Sequence, residues 1–397
     1  MPRNLKVTLR KIYLFCFLDD FVLLYPFYSI YMASKGLSVF QISTLLILWS
    51  VTDIITNIPL GVLADKYSRK MLLGIGQLLK ALSFVPWIMF PSYEGFALGF
   101  VLWGIGGAFI DGTFDAVVYD ELKAVNQEKQ YVKVIGRAES FSLAGNLAAT
   151  VLAGAAILLG YNFIFVASIL AVVLSAMVVF RLPETPRFGE VADTRYFSML
   201  RQGIKEAVHN RVILGIILLG GFIGAIYGSL EEFVPLFVSD TGVGLSVTAL
   251  AVGATVAAAA LGSLVAYRYE KLTTSQFMML LGLSGALLLA AGVLTGVGGI
   301  LMLVGFTFII RMLQAIYDGK LQHSISGGLR ATVSSVSGFA MEVLAISVYF
   351  AYGVITEFSD NFGAFAFFGG IVLLVALAYL LLAPRLLSRQ GVPTAVS

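Results

Sequence analysis

The sequence predicts an all-α membrane protein in which twelve transmembrane helices form two pseudo-symmetric six-helix bundles. Three observations predict this fold class. The 397 residues are 59% hydrophobic and only 12% charged, whereas a soluble domain carries about 25% charged residues. Apolar runs recur at the length of about 20 residues that a helix needs to cross a bilayer. Basic residues concentrate in every second connection between these runs.

Twelve apolar segments are long enough to span a membrane, and none shows the period-two alternation of a strand. The charge-free stretch Leu272–Ile310 holds two of them, because Gly296-Val-Gly-Gly299 divides it into flanks that are each long enough. Predicted spans 1 to 6 cover 11–33, 41–63, 71–90, 96–119, 136–158 and 162–181. Predicted spans 7 to 12 cover 212–238, 246–267, 275–296, 299–319, 332–356 and 363–384.

The placement of lysine and arginine predicts the orientation of the spans. If both termini are cytoplasmic, 23 of the 26 basic residues fall in cytoplasmic connections and only Lys35 falls outside. Lys80 and Arg311 fall within spans. This asymmetry follows the positive-inside rule, so we expect a multi-pass protein of the cytoplasmic (inner) membrane.

The longest connection, 183–210, lies at the middle of the chain and predicts the domain boundary. It begins with Pro183-Glu-Thr-Pro186, which cannot continue a helix. Apolar residues then recur at helical spacing from Phe197 to Val208, so we expect a short interfacial helix on the cytoplasmic surface. The predicted domains are an N-terminal bundle, 1–182, this linker, and a C-terminal bundle, 211–397.

Two motifs recur in the two halves at nearly the same offset. Gly61–Lys70 aligns with Gly262–Lys271 at an offset of 201 residues, and Val118-Tyr-Asp120 aligns with Ile316-Tyr-Asp318 at an offset of 198. Each pair occupies the same place in its half, which predicts a parallel internal repeat.

The composition excludes several classes of function. A single cysteine excludes disulfides, and two distant histidines give no metal-binding pattern or nucleophile–base constellation. No motif for binding ATP occurs, which argues against a primary pump. We expect no cofactor, no metal and no enzymatic activity. The basic residues form no block with interleaved aromatics, which argues against a nucleic-acid partner.

Four motifs together resemble the major facilitator superfamily, in its bacterial and archaeal branch. They are Gly61-Val-Leu-Ala-Asp-Lys-Tyr-Ser-Arg-Lys70 between spans 2 and 3, Asn57-Ile-Pro59 before it, Gly112–Lys123 at the end of span 4, and Arg181–Pro186 after span 6. The resemblance covers the whole chain and implies a transporter that works by alternating access. It departs at Ser68, where the family usually has glycine, and at Ala266, which replaces the acid in the second copy.

The same resemblance implies a conformational latch formed by Gly61, Asp65, Arg69, Lys70 and Asp120. Asp65 would face the N-terminus of span 11, near 331–334, whose free amides favour an anion. Arg69 would pair with Asp120. The alternative is a basic loop that serves topology only, although that role would require neither Gly61 nor Asp65.

Charged residues inside the spans predict the site of transport, because each costs about 2.5–3.5 kcal/mol at the membrane centre. The resemblance implies that spans 1, 4, 7 and 10 line a central cavity. Our hypothesis is that Arg311 is the cavity cation and that Asp19 or Asp20, together with Asp111, forms the acidic and proton-binding part. The other candidates in these spans are Asp115, Glu231 and Glu232, and the remaining charges within spans are Asp53, Lys80, Glu139 and Glu342. A static network of ion pairs is the alternative.

We therefore expect a secondary active transporter that exports a small molecule, coupled to protons. A proton-coupled uptake symporter for a nutrient or siderophore is the alternative within transport. A transport-inactive sensor or scaffold is the alternative from another class. The expected partners are a small-molecule substrate, protons and the lipid bilayer, and the chain is expected to be a monomer.

Overall fold

The computed structural model describes residues 5–184, 211–324 and 330–389. The side chains of 58–66, 211–213, 216, 321–335 and 382–389 lie outside the described part. The interfacial helix predicted in the linker also lies outside the described residues.

The described residues form fourteen α-helices and no strand. The first seven are α1 (Leu5–Asp19), α2 (Tyr28–Ser34), α3 (Val39–Lys66), α4 (Arg69–Met89), α5 (Tyr93–Lys123), α6 (Tyr131–Ala156) and α7 (Tyr161–Phe180). The others are α8 (Arg211–Glu231), α9 (Val234–Asp240), α10 (Leu245–Val265), α11 (Thr274–Leu294), α12 (Gly296–Ser324), α13 (Arg330–Phe358) and α14 (Asn361–Arg389). The chain divides into two compact units, Met1–Met199 with Leu245–Leu250, and Leu200–Gly244 with Ala251–Ser397.

Ten described helices, α3 to α7 and α10 to α14, are each long and apolar enough to cross a membrane. Helices α8 and α9 together meet the same criterion and are bent by 49° at their junction. The described residues therefore hold ten continuous candidate spans, or eleven if this bent pair is one span. Helices α1 and α2 lie where span 1 is predicted.

The continuous helices predicted over 11–33 and 212–238 are wrong, since the chain leaves the helix after Asp19 and after Glu231. A proline lies near both breaks, and it has no N–H to donate to the carbonyl four residues earlier. Pro26 lies in the first break, and Pro235 lies in the first turn of α9, four residues after Glu231. Hydropathy alone does not register a proline within an apolar run.

Side chains from neighbouring helices supply hydrogen bonds at the first break. The backbone N–H of Leu24 donates to Ser168 Oγ of α7 at 3.1 Å. The carbonyl of Asp19, the last residue of α1, accepts from Lys80 Nζ of α4 at 3.0 Å. Such partners are needed inside a bilayer, where water does not reach the backbone.

Glycines bring α4 and α5 into backbone contact within the N-terminal unit. A Cβ added to Gly76 would lie 2.8 Å from the carbonyl oxygen of Gly106, and one added to Gly106 would lie 2.8 Å from that of Gly76. Only glycine permits this approach. The neighbouring Gly107 is different, because its added Cβ would meet only Asp53 Oδ1, at 3.6 Å.

We expect Gly106→Ala to destabilise the protein by about 1–3 kcal/mol, because the new methyl group must push two backbones apart. Gly107→Ala is the matched control, since it makes the same change in helix propensity at the next position, where a Cβ has room. The thermal unfolding midpoint of the purified protein in detergent measures both. Equal midpoints for the two variants would contradict the proposed backbone contact.

Candidate functional site

A cavity of about 460 Å³ lies in the N-terminal unit and is lined by charged and aromatic side chains. We call it the N-terminal cavity. Its lining residues are Phe15, Cys16, Asp19, Asp20, Trp49, Lys80, Trp103, Gly107, Ile110, Asp111, Phe114, Asp115 and Ser142. Ligand pockets begin at about 300 Å³, so this cavity has room for a small organic molecule.

Lys80 and Asp19 form an ion pair at the wall of the N-terminal cavity. Lys80 Nζ donates to Asp19 Oδ1 at 2.6 Å and also to the Asp19 carbonyl oxygen at 3.0 Å. The Lys80 side chain is 6% exposed and that of Asp19 is 17% exposed. A pair buried to this extent is screened little by solvent. The lysine thus neutralises one acid and also satisfies the end of α1.

Aromatic rings surround the same ammonium group. Lys80 Nζ lies 5.8 Å from the ring centroid of Tyr25 and 5.9 Å from that of Trp103. Both distances fall within the range of cation–π attraction. The Tyr25 and Trp103 rings also stack on each other, with their centroids 5.9 Å apart. This wall of the cavity therefore accommodates a positive charge through both a carboxylate and aromatic faces.

Three further carboxylates, those of Asp20, Asp111 and Asp115, line the N-terminal cavity. Asp20 is the first residue after α1, which ends at Asp19, and it lies within hydrogen-bonding reach of Ser142. Asp111 and Asp115, one turn apart on α5, are both exposed to open space. Asp115 interacts with the hydroxyl of Tyr131. The Ser142 and Tyr131 hydroxyls are neutral.

The C-terminal unit holds a second set of predicted residues around the break between α8 and α9. The Arg311 guanidinium lies 4.9 Å from the ring centroid of Tyr227, and Glu231 interacts with both residues. Among the described residues, no partner accepts from buried Arg311 Nε. The adjoining pocket, lined in part by Tyr227, Glu231 and Thr307, measures only about 10 Å³, which is about the space of one water molecule. Glu232 follows Glu231 and lies in the break between α8 and α9.

The latch residues are described in part. Arg69 Nη1 donates to Asp120 Oδ2 at 2.5 Å, and Asp120 is buried. Lys70 Nζ donates to the Leu182 carbonyl oxygen at 2.9 Å and lies 3.5 Å from exposed Glu184. The structure describes no side chain at positions 61, 65 or 331–334. The contact expected of Asp65 therefore stays a prediction.

The structure thus brings Asp19, Asp20, Asp111 and Asp115 together around one cavity, and it places Glu231 beside Arg311 in the other unit. The hypothesis that Arg311 pairs with the acids of span 1 and span 4 stays a prediction. The role of Lys80 is not evident from the sequence, since its partner lies 61 residues away.

A third internal match in the sequence lies at both breaks. Asp19-Asp-Phe-Val22 corresponds to Glu231-Glu-Phe-Val234, and in each half this acidic pair stands where the helix ends. The aromatic lining residues Trp49 and Trp103 carry no such signal, because apolar aromatics are common in membrane spans.

Comparison with known proteins finds a match to the Major Facilitator Superfamily over residues 12–349. A curated relative, the uncharacterized MFS-type transporter YxaM of Bacillus subtilis (strain 168), is 20% identical over 222 residues, which are 55% of this chain and 55% of the relative. The matched region spans about half the length of that relative.

Two solved structures share the fold. A mutant of the nucleoside transporter NupG superposes with a TM-score of 0.79 at 14% identity, covering 95% of this chain and 99% of that chain. A bacterial homolog of the human lysosomal transporter Spinster, inward-facing and unoccupied, superposes with a TM-score of 0.72 at 15% identity, covering 96% of both chains. At these identities the likeness shows the fold alone.

We expect Lys80→Met to lower the free energy of unfolding by about 3–5 kcal/mol, the usual cost of removing one partner of a buried ion pair. Adding Asp19→Asn should recover part of the loss, because the carboxylate is then no longer unpaired. Denaturant titration in detergent measures these changes. Glu184→Gln is the control, since it breaks an exposed pair of small energetic value. A loss for Lys80→Met as small as that of the control would contradict a buried pair.

Proposed function

This chain belongs to the major facilitator superfamily, whose match covers residues 12–349, and on that premise we propose that it exports a small molecule across the membrane in exchange for protons. Membership makes it a multi-pass membrane protein and a transporter rather than an enzyme. The direction of transport, the coupling ion and the site are the parts that we propose.

The N-terminal cavity is the observation that carries this proposal. Four carboxylates and one ammonium group line it, and they lie on or beside helices that span the membrane. Charge within spans is costly and is retained chiefly at pathways for ions and substrates. A carboxylate also changes its charge by taking up a proton, so the same group can serve a cationic substrate and a proton in turn.

Alternating access supplies the coupling in this proposal. When the cavity opens to the outside, its carboxylates take up protons and the substrate leaves. When it opens to the cytoplasm, the protons leave and the substrate binds. Asp20 is the residue that we assign to the exchange. It adjoins the Lys80–Asp19 pair, and its neighbour Ser142 is neutral. Protonation of Asp20 would therefore change the net charge of the cavity directly.

The Arg69–Asp120 ion pair serves, in this proposal, as the fixed part of a cytoplasmic latch. It ties the start of α4 to the last turns of α5, within the unit that holds the cavity. The hairpin before α4 would then present Asp65 to the N-terminus of span 11 when the cavity is closed to the cytoplasm. We propose that the protein lies in the cytoplasmic membrane as a monomer with both termini in the cytoplasm.

Reconstitution into liposomes with an imposed pH gradient tests the function. A panel of amphipathic compounds is added, and proton flux and compound movement are recorded together. We expect one or more compounds to dissipate the gradient while moving against the direction of proton flow. We expect Asp20→Asn to slow this coupled flux at least tenfold, because an amide cannot take up the proton.

Glu94→Gln is the matched control for that variant. It also removes one acid from the N-terminal unit, but Glu94 lies at the exposed start of α5 and contacts Ser92. Its flux should equal that of the unchanged protein. Movement of a compound in the same direction as protons would instead indicate uptake by symport. Flux in Asp20→Asn equal to that in Glu94→Gln would overturn the role given to Asp20.

The latch makes a separate prediction for Arg69→Gln and Asp120→Asn. Each should slow transport several-fold, and the double variant should be little slower than either one, because both changes remove the same ion pair. Initial rates in the same liposomes provide the measurement, with Glu184→Gln as the control for an exposed pair. Additive losses in the double variant would show that the two residues act independently.

A further inference from the structure

The N-terminal cavity combines two chemical features that recognise the same class of molecule. Among the lining residues that the structure describes, Lys80 alone is basic and four are acidic, so acidic side chains are in excess there. Half of the eight uncharged lining residues are aromatic. Trp49 and Trp103 contribute indole rings, and the rings of Phe15 and Phe114 stack with their centroids 5.6 Å apart.

Lys80 shows how this wall holds a cation. Its ammonium group is bound by the Asp19 carboxylate and lies within 6 Å of two aromatic ring centroids. Acids that bind the charge and rings that attract it through their π faces are the combination by which proteins recognise organic ammonium groups. The other acids, Asp20, Asp111 and Asp115, line the same cavity, as does Trp103.

We propose that the N-terminal cavity binds an organic cation with an apolar or aromatic body, such as a hydrophobic amine or quaternary ammonium compound. The charge of the ligand is offset by Asp20 and Asp111, and its body packs on Trp49, Trp103 and Phe114. This proposal rests on the proposed function, for which it names the substrate class. It also makes a claim about equilibrium binding that is independent of coupling and direction.

Other ligand classes fit these walls less well. An anion would meet four carboxylates with one ammonium group that is already paired. A magnesium or calcium ion prefers a shell of oxygen ligands and gains little from indole and phenyl rings. A neutral apolar molecule would offer no charge to compensate the acidic side chains of the lining. A volume of about 460 Å³ suits a compact organic cation.

A pair of probes that differ in the sign of their charge tests the proposal. Tetraphenylphosphonium and tetraphenylborate have nearly the same size and shape, and one is a cation while the other is an anion. Titration of the full chain in a neutral detergent, followed by tryptophan fluorescence, reports on the site directly, because two of the three tryptophans line the cavity. Calorimetry on the same samples gives the dissociation constants.

We expect tetraphenylphosphonium to quench the fluorescence saturably and tetraphenylborate to bind at least tenfold more weakly. Asp20→Asn and Asp111→Asn should each weaken phosphonium binding at least tenfold, while Glu94→Gln should leave it unchanged. Two acidic variants are used so that one that fails to fold, as judged by gel filtration, does not decide the result. The comparison of the two probes on the unchanged chain needs no variant at all.

Equal binding of the two probes, or binding that persists in both folded acidic variants, would overturn the proposal. The outcomes also separate it from the proposed function. Charge-selective binding without coupled flux in liposomes would support the site and count against proton-coupled export. Coupled flux of neutral or anionic compounds, with no selective binding of the phosphonium ion, would support transport and count against this substrate class.

Discussion

The bilayer requires every backbone polar group to find a partner within the protein, and the first span depends on how the chain meets this requirement. Helix α1 ends at Asp19, so backbone groups near the break lose their helical partners. Lys80 binds the carbonyl of Asp19, and Ser168 accepts from the N–H of Leu24. These contacts hold an acidic pair at a fixed place inside a membrane span, where charge is otherwise unfavourable.

Close packing of α4 against α5 helps to position Lys80, which binds the carbonyl of Asp19. The glycine contact between the two helices lies beside Lys80, since a Cβ on Gly106 would lie 3.1 Å from its backbone nitrogen. Lys80 therefore starts near the backbone of α5 and reaches the end of α1. The same helix α5 carries Asp111 and Asp115 into the cavity. The glycines and the charged residues thus act together, because the glycines set the distance between the helices that carry the charged side chains.

The first span of each half is broken, but the contacts around the break differ between the two halves. In the C-terminal unit, Phe233 follows the acidic pair and stacks on Tyr352 with ring centroids 3.7 Å apart. Tyr352 donates to Asn361, which in turn donates to Asp240 at the end of α9. The basic residue near this break is Arg311 on α12, and the adjoining pocket is nearly closed. In the N-terminal unit, by contrast, the acids line a cavity of about 460 Å³.

The sequence by itself determined the all-α membrane fold, the approximate spans and the acids within them, because hydropathy and charge placement are local properties that the bilayer selects directly. It also indicated the Arg69–Asp120 pair, through residues of a recognisable motif. The tertiary structure alone decided that span 1 breaks beside Asp19, that Lys80 is the partner of that acid, and that Trp49 and Trp103 share its cavity. These contacts join residues on different helices, and the two partners of the ion pair lie 61 positions apart in the sequence. Helix packing brings these residues together, and no periodicity along the chain encodes that packing.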